Sequence, residues 1–193
     1  MHFKDWKRDI FTIPNLLSLF RLGLIPVYIR LYLKAAEPAE YYSAGVILAI
    51  SCLTDAADGI IARHFHMVSM LGMILDPLAD KLTQFTLILC LSLRYPVLNP
   101  VLALFVVKEL FQLTLGTISL SRGKMLSGAL FAGKLCTTVL FVSLTALVLF
   151  PNIHTTAVNL IAVIDILFLL ISFGYYMLAY LGGNPKIRNI NME

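Results

Sequence analysis

Charge is scarce in this chain. Lys, Arg, Asp and Glu make up 13% of its 193 residues, against roughly a quarter in soluble domains. That is too little polar sequence to cover a water-facing surface. No basic run interleaved with aromatics occurs, which argues against nucleic acid as a partner. Cysteine is limited to Cys52, Cys90 and Cys136. Each lies in an apolar stretch and no two have metal-ligand spacing, so they read as small buried hydrophobes without a disulfide framework. There is no internal repeat and no low-complexity segment, and the length is that of one domain.

What is present is apolar: 59% of the residues are hydrophobic and the mean hydropathy is +0.86. A membrane-crossing helix needs about 20 largely apolar residues. Six stretches qualify, at roughly 15–34, 42–63, 70–93, 98–121, 127–150 and 156–181. Short connectors with break signals separate them, including Glu37-Pro38, Tyr95-Pro96, Gly123, Pro151-Asn152 and Gly182-Gly183-Asn184-Pro185. The first stretch is longer than the apolar core of a signal peptide. The pattern predicts an all-α integral membrane protein with six transmembrane helices over 13–182 and a tail over 183–193.

Residues 1–12 place Phe3, Trp6, Ile10 and Phe11 on one helical face, with Lys4, Asp5, Lys7, Arg8 and Asp9 over the rest. This suits a short amphipathic helix lying in the membrane interface. Orientation follows from Lys and Arg. With the N-terminus inside, eight basic residues (Lys4, Lys7, Arg8, Arg63, Arg122, Lys124, Lys186, Arg188) fall on the cytoplasmic side and three (Arg30, Lys34, Arg94) outside. Both termini are therefore expected in the cytoplasm. Arg21, Lys81, Lys108 and Lys134 remain within spans, and the single acid Asp165 is expected to pair with a basic span residue.

Spans two and three hold Asp55, Asp58, Asp76 and Asp80. Each acid costs about 2.5–3.5 kcal/mol at the bilayer centre, so four left bare would cost on the order of 10 kcal/mol. Leucine would fill the space without that cost, so these side chains need water, a cation or both. On a helix, Asp55, Asp58, Gly59 and Ala62 share one face, and Gly72, Asp76 and Asp80 form a second stripe. A short turn around 64–69 makes the two helices antiparallel neighbours, which brings the four carboxylates into one pocket near the cytoplasmic end. Carboxylates so close repel unless compensated, and a pair of divalent cations would relieve them. Oxygen-only ligands point to Mg²⁺ or Mn²⁺. The small residues leave room for a bulky ligand, or simply for close helix packing. Arg63 suits a phosphate or an inside anchor. Two metals with a spare carboxylate favour phosphoryl transfer, the metals neutralising phosphate charge and the carboxylate accepting a hydroxyl proton.

The string Asp55-Ala56-Ala57-Asp58-Gly59-Ile60-Ile61-Ala62-Arg63, followed after eight residues by Gly72 and then by Asp76 and Asp80, resembles the signature D-x2-D-G-x2-A-R-x8-G-x3-D-x3-D of the CDP-alcohol phosphotransferase family. All eight fixed positions match. The resemblance implies that Asp55, Asp58, Asp76 and Asp80 hold two divalent cations and that Asp80 is the general base. It also implies that Asp58, Gly59, Ala62, Arg63, Ser69 and Gly72 line the CDP-donor site. The run Ile13-Pro14-Asn15-Leu16-Leu17-Ser18-Leu19-Phe20-Arg21 resembles the first span of the phosphatidylglycerophosphate synthase and cardiolipin synthase branch, which would put Asn15 and Ser18 on the cytidine. Asp76-Pro77-Leu78-Ala79-Asp80-Lys81 is similar to the same branch. Homodimers are common in this family. A bacterial plasma membrane fits the short, tail-poor chain, with a mitochondrial inner membrane as the alternative.

The acceptor is written less sharply. The Arg-Glu-Phe segment usual in phosphatidylglycerophosphate synthases is Lys108-Glu109-Leu110 here, the later Arg of that region is missing, and a Gly-Lys-x-Lys-Thr region keeps Gly133, Lys134 and Thr137 but has Cys136 in place of its second Lys. Arg to Lys loses a bidentate fork for phosphate. Lys108, Arg122 and Lys134 are the candidate acceptor-binding residues, although Lys108 and Glu109 would equally form an intramembrane ion pair that fixes packing. The resemblance implies phosphatidyl transfer from CDP-diacylglycerol to glycerol 3-phosphate, with phosphatidylglycerol as the rival acceptor and inositol phosphate or serine behind. A cation transporter is the alternative class. Against it, the acids cluster near one membrane face rather than along a path.

Overall fold

The computed structural model describes residues 12–64, 72–121, 124–126, 131–181 and 187–189. Six long helices occupy most of them: α1 (Ile13–Lys34), α2 (Pro38–His64), α3 (Gly72–Arg94), α4 (Asn99–Ser121), α5 (Phe131–Leu149) and α6 (Thr155–Leu181). A 3₁₀ turn, Pro96–Leu98, precedes α4. The body is helical, as the hydropathy pattern predicts, and each helix falls within a few residues of its expected stretch. One addition was not foreseen: β1 (Lys124–Leu126) and β2 (Ile187–Asn189) form a short antiparallel pair, with Met125 opposite Arg188. The amphipathic segment expected over 1–12 lies outside the described residues except for Thr12.

Among the described residues, four helical segments are long and apolar enough to cross a membrane: Asn15–Lys34, Pro96–Ser119, Phe131–Leu149 and Thr155–Tyr180. They fit a multi-pass membrane protein. Their outward faces carry Leu19, Leu113, Phe131, Leu160 and Leu178, all exposed, which lipid rather than water would accept. Helices α2 and α3 have 27 and 23 residues, also sufficient in length, but they bear the site's acids.

The chain divides into two compact units. The first comprises 1–90 and 145–152. Within it, α1 begins at Thr12, whose hydroxyl accepts the Asn15 N–H at 3.4 Å, an N-cap supplying one of the partners a helix start lacks. Only Ala35, Ala36 and Glu37 separate α1 from α2, so the two helices run back along one another. Tyr28 stacks on Tyr32 at 5.8 Å, and Tyr32 meets Tyr41 edge-on at 5.1 Å. Ala44, Leu48, Ala79, Leu87 and Ile88 complete the interior.

The second unit comprises 91–144 and 153–193. Here α4 packs against α6 through Phe111 and Phe173, whose rings meet edge-on at 4.9 Å. Leu98, Val101, Phe105, Leu140, Val158, Ala162 and Leu169 are buried. Asp165 of α6 is fully buried and accepts from the Ser143 hydroxyl of α5 at 2.8 and 2.9 Å. The expected pairing of Asp165 with a basic span residue is thereby corrected: its partner is a neutral hydroxyl one helix away. The cysteines are free thiols, with Cys90 and Cys136 buried and Cys52 partly so.

Candidate active site

In the first unit, α1 carries one stripe of buried polar residues. Asn15, Ser18 and Arg21 recur every three residues, so they line one side of the helix, and they are 1%, 0% and 2% exposed. An arginine buried this deeply needs compensating charge. One nitrogen, Arg21 Nη1, lies 2.6 Å from Asp55 Oδ1 and 2.5 Å from Asp80 Oδ1. Asp55 comes from α2 and Asp80 from α3, so a single guanidinium joins three helices. The Ser18 hydroxyl donates to Asp76 Oδ1, one turn before Asp80 on α3. Pro77, between those two acids, lacks an N–H and so leaves a carbonyl of the previous turn without its helical partner.

The aspartate side chains remain half open, 51% exposed for both Asp55 and Asp80, while the arginine that anchors them is enclosed. The site therefore has a buried cationic floor and an accessible rim of carboxylate oxygens. Gly72, the first residue of α3, is buried. Asp58, Gly59, Ala62 and Arg63 follow Asp55 on α2; their side chains lie outside the described residues, as does Ser69 entirely.

The donor set suits a hard divalent cation. Carboxylate oxygens from two helices already converge on one positively charged nitrogen, and Mg²⁺ and Mn²⁺ take oxygen ligands. Among the described residues, no group of three or more acid, His or Cys side chains is gathered closely enough to hold an ion by itself. Asp58, the fourth expected ligand, is not among those side chains.

The candidate acceptor residues belong to the second unit. Lys108 is buried on α4, with its Nζ 2.7 Å from Glu109 Oε1. The same ammonium sits 5.9 Å from the centre of the Tyr176 ring. Gly133 of α5 also abuts Tyr176, so Lys108 and the Gly133-Lys134 step share one aromatic neighbour. Lys134 is exposed, and its carbonyl accepts from Thr137 and Thr138. Arg122 lies outside the described residues.

Two participants were not foreseen in their roles. The sequence presents Arg21 only as one of four basic residues within spans. Its position three residues after Ser18, in a chain with four intramembrane acids, was the available signal. Tyr176 looks like any aromatic of an apolar span, and no periodicity separates it from a core residue.

Helices fit to span a bilayer, with an acid rim over a buried guanidinium, define a multi-pass membrane protein with a charged site among its helices. The family model for CDP-alcohol phosphatidyltransferase matches residues 11–179, and the chain belongs to that family. It is an enzyme of the phosphatidyltransferase class, and its family generally depends on divalent cations. The chain is 32% identical over 174 residues to a CDP-diacylglycerol–glycerol-3-phosphate 3-phosphatidyltransferase of Aquifex aeolicus, covering 86% of this chain and 94% of that one. A protein of the same name from Shigella flexneri is 31% identical over 154 residues, 78% of this chain and 84% of its own. A cardiolipin synthase (CMP-forming) of Rattus norvegicus is 46% identical over 91 residues, covering 47% of this chain and 28% of its own.

Proposed function

We propose that the chain transfers the phosphatidyl group of CDP-diacylglycerol to glycerol 3-phosphate, releasing CMP. One observation carries the choice of acceptor: similarity to relatives named for that reaction runs through most of both chains. In this reading Asp80 takes the proton from the acceptor hydroxyl. The freed oxygen attacks the β-phosphorus of the donor, forming the new O–P bond as the bond to CMP breaks. Asp55, Asp58, Asp76 and Asp80 would hold two Mg²⁺ or Mn²⁺ ions. When bound, the ions supply charge neutralisation at the diphosphate. Asn15, Ser18, Asp58, Gly59, Ala62, Arg63, Ser69 and Gly72 enclose the cytidine and diphosphate. Lys108, Arg122 and Lys134 bind the acceptor.

All six helices cross the membrane in this reading, with α2 and α3 carrying their acids to the cytoplasmic end. The distribution of basic residues supports both termini and the site on the cytoplasmic side, with the segment 1–12 in the interface and the enzyme a homodimer of a bacterial plasma membrane. Cardiolipin synthesis from phosphatidylglycerol is the second reading, supported by the identity to cardiolipin synthases over part of the chain and by Lys108 standing where the glycerol-phosphate branch has Arg.

A headgroup screen tests both. Purified protein in Mg²⁺ or Mn²⁺ receives labelled CDP-diacylglycerol with glycerol 3-phosphate, phosphatidylglycerol, serine, inositol or inositol phosphate, and mass spectrometry identifies the lipid. Phosphatidylglycerophosphate and CMP are expected. Cardiolipin from phosphatidylglycerol alone would move the acceptor to the second reading, and no CMP with any alcohol would end both.

A further inference from the structure

We infer that Arg21 is a resident counter-cation that competes with the divalent metal for Asp55 and Asp80, so that loading the site requires the guanidinium to release at least one of the two carboxylates. This rests on the reading of those aspartates as metal ligands. The carboxylates of α2 and α3 converge on one point, and Nη1 of Arg21 holds it, 2.6 and 2.5 Å from the two oxygens. Divalent cations bind carboxylate oxygen at about 2.0–2.6 Å. The guanidinium therefore engages the same two carboxylates that would hold a divalent cation, and two positive charges drawn to the same oxygens repel.

The arrangement has a physical use before the metal arrives. Without a cation, Asp55 and Asp80 would face each other as like charges within an apolar bundle. Arg21 offsets that repulsion, and it does so from α1, so the three helices keep the cage assembled. Arginine suits the task because its planar head presents several donors to two acceptors at once. Asp76 is held by the Ser18 hydroxyl. Once released, the guanidinium lies beside the site of a diphosphate, whose oxygens can take over as its partners. Arg21 would then serve the metal-free fold and the loaded site in turn.

Competition and scaffolding predict opposite signs for metal affinity. A ligand that must displace a resident partner binds more weakly by the factor favouring the occupied state. The full-length chain in nanodiscs is titrated with Mn²⁺ alone, and the unbound ion is followed by electron paramagnetic resonance. Arg21→Gln is expected to bind Mn²⁺ about tenfold more tightly than wild type or better, while its metal-free form melts at lower temperature. Arg21→Lys keeps a charge without the fork and is expected between the two; it also serves if Arg21→Gln does not fold. In the wild-type protein, phenylglyoxal labelling of Arg21, read by mass spectrometry, is expected to rise when Mn²⁺ is added. Equal or weaker Mn²⁺ binding in the variants, or labelling that Mn²⁺ leaves unchanged or lowers, would overturn the inference. If the wild-type chain binds Mn²⁺ and releases CMP but the variants bind it equally, the inference alone fails. If the wild-type chain does neither, the metal-site reading beneath it fails too.

Discussion

Gly133 of α5 lies hard against Tyr176 of α6: a methyl group added at Gly133 would stand 2.5 Å from the phenol oxygen and 2.9 Å from Cε2. The ring is buried and cannot swing freely, because it also packs beside Ala179 and Tyr180. Gly133→Ala is therefore expected to destabilise the protein by about 1–3 kcal/mol, as overpacking does, read as a lowered melting temperature in detergent. Adding Tyr176→Phe removes the closest atom but not Cε2, so it restores part of the loss. Gly45→Ala is the contrast. Its new methyl meets Leu149 Cδ2 at 2.8 Å, the far end of a side chain that can turn, and the cost stays below about 1 kcal/mol. Equal losses at the two glycines would show that Tyr176 is not held rigidly.

The Ser143–Asp165 hydrogen bond makes a second test. Ser143→Ala leaves a fully buried carboxyl without the hydroxyl that it accepts from, at a cost of about 1–3 kcal/mol. Asp165→Asn keeps an acceptor oxygen for Ser143 and should change stability by less. Replacing both members, Ser143→Ala with Asp165→Leu, removes the polar demand altogether and is expected to recover most of the stability. Thermal unfolding of the wild type, Ser143→Ala, Asp165→Leu and the double variant closes the cycle. A double variant no better than Ser143→Ala would mean that Asp165 has work beyond packing.

Much of this could be read from the sequence because membrane folding is governed by simple demands. Apolar length set the helices, and Pro and Gly set their breaks, so α1 to α6 fall close to the expected stretches. The spacing from Asp55 to Asp80 placed acids on neighbouring helices, and Asp55 and Asp80 do meet at one nitrogen. What pattern could not supply was partnership. Arg21 is one of four basic residues in spans, and nothing in its local sequence says that two aspartates over thirty residues away share it. Asp165 drew Ser143 rather than a cation for the same reason: long-range pairing depends on how helices rotate against each other. The antiparallel contact of 124–126 with 187–189 was hidden because three-residue strands carry too little periodicity to register.

Glu40, ahead of the apolar part of α2, accepts the backbone N–H groups of Ala36 at 2.6 Å and Glu37 at 3.3 Å. These bonds hold its carboxyl below the ordinary value of 4.5, because they favour the charged form. A depressed folded value stabilises the turn above the ordinary value, and that support is lost as pH falls through the folded one. Hydrogen-exchange protection of the Ala36 and Glu37 amides should accordingly drop as pH falls below the ordinary value of 4.5, and Glu40→Gln should flatten that dependence. Protection that is insensitive to pH in the wild-type chain would separate the turn's stability from this carboxylate.

The sharpest distinction concerns Asp80 and Ser18, which sit a few ångströms from the same chemistry but are expected to fail differently. Asp80→Asn preserves shape and leaves an amide oxygen for the Arg21 guanidinium, so the three helices stay joined. It removes the proton acceptor, and kcat should fall by about 10²–10⁴ or more, with little change in melting temperature. Wild-type-like turnover in that variant would refute Asp80 as the base. Ser18→Ala removes only the hydroxyl that steadies Asp76. Losing a partner of this kind typically costs about 10–100-fold in metal affinity or activity, and excess Mn²⁺ should restore much of it. Were Ser18 instead committed to the cytidine, the loss would appear as a raised KM for CDP-diacylglycerol that no concentration of Mn²⁺ repairs. The metal titration therefore separates a role of Ser18 in the aspartate cage, through its hydrogen bond to Asp76, from its proposed role at the nucleotide.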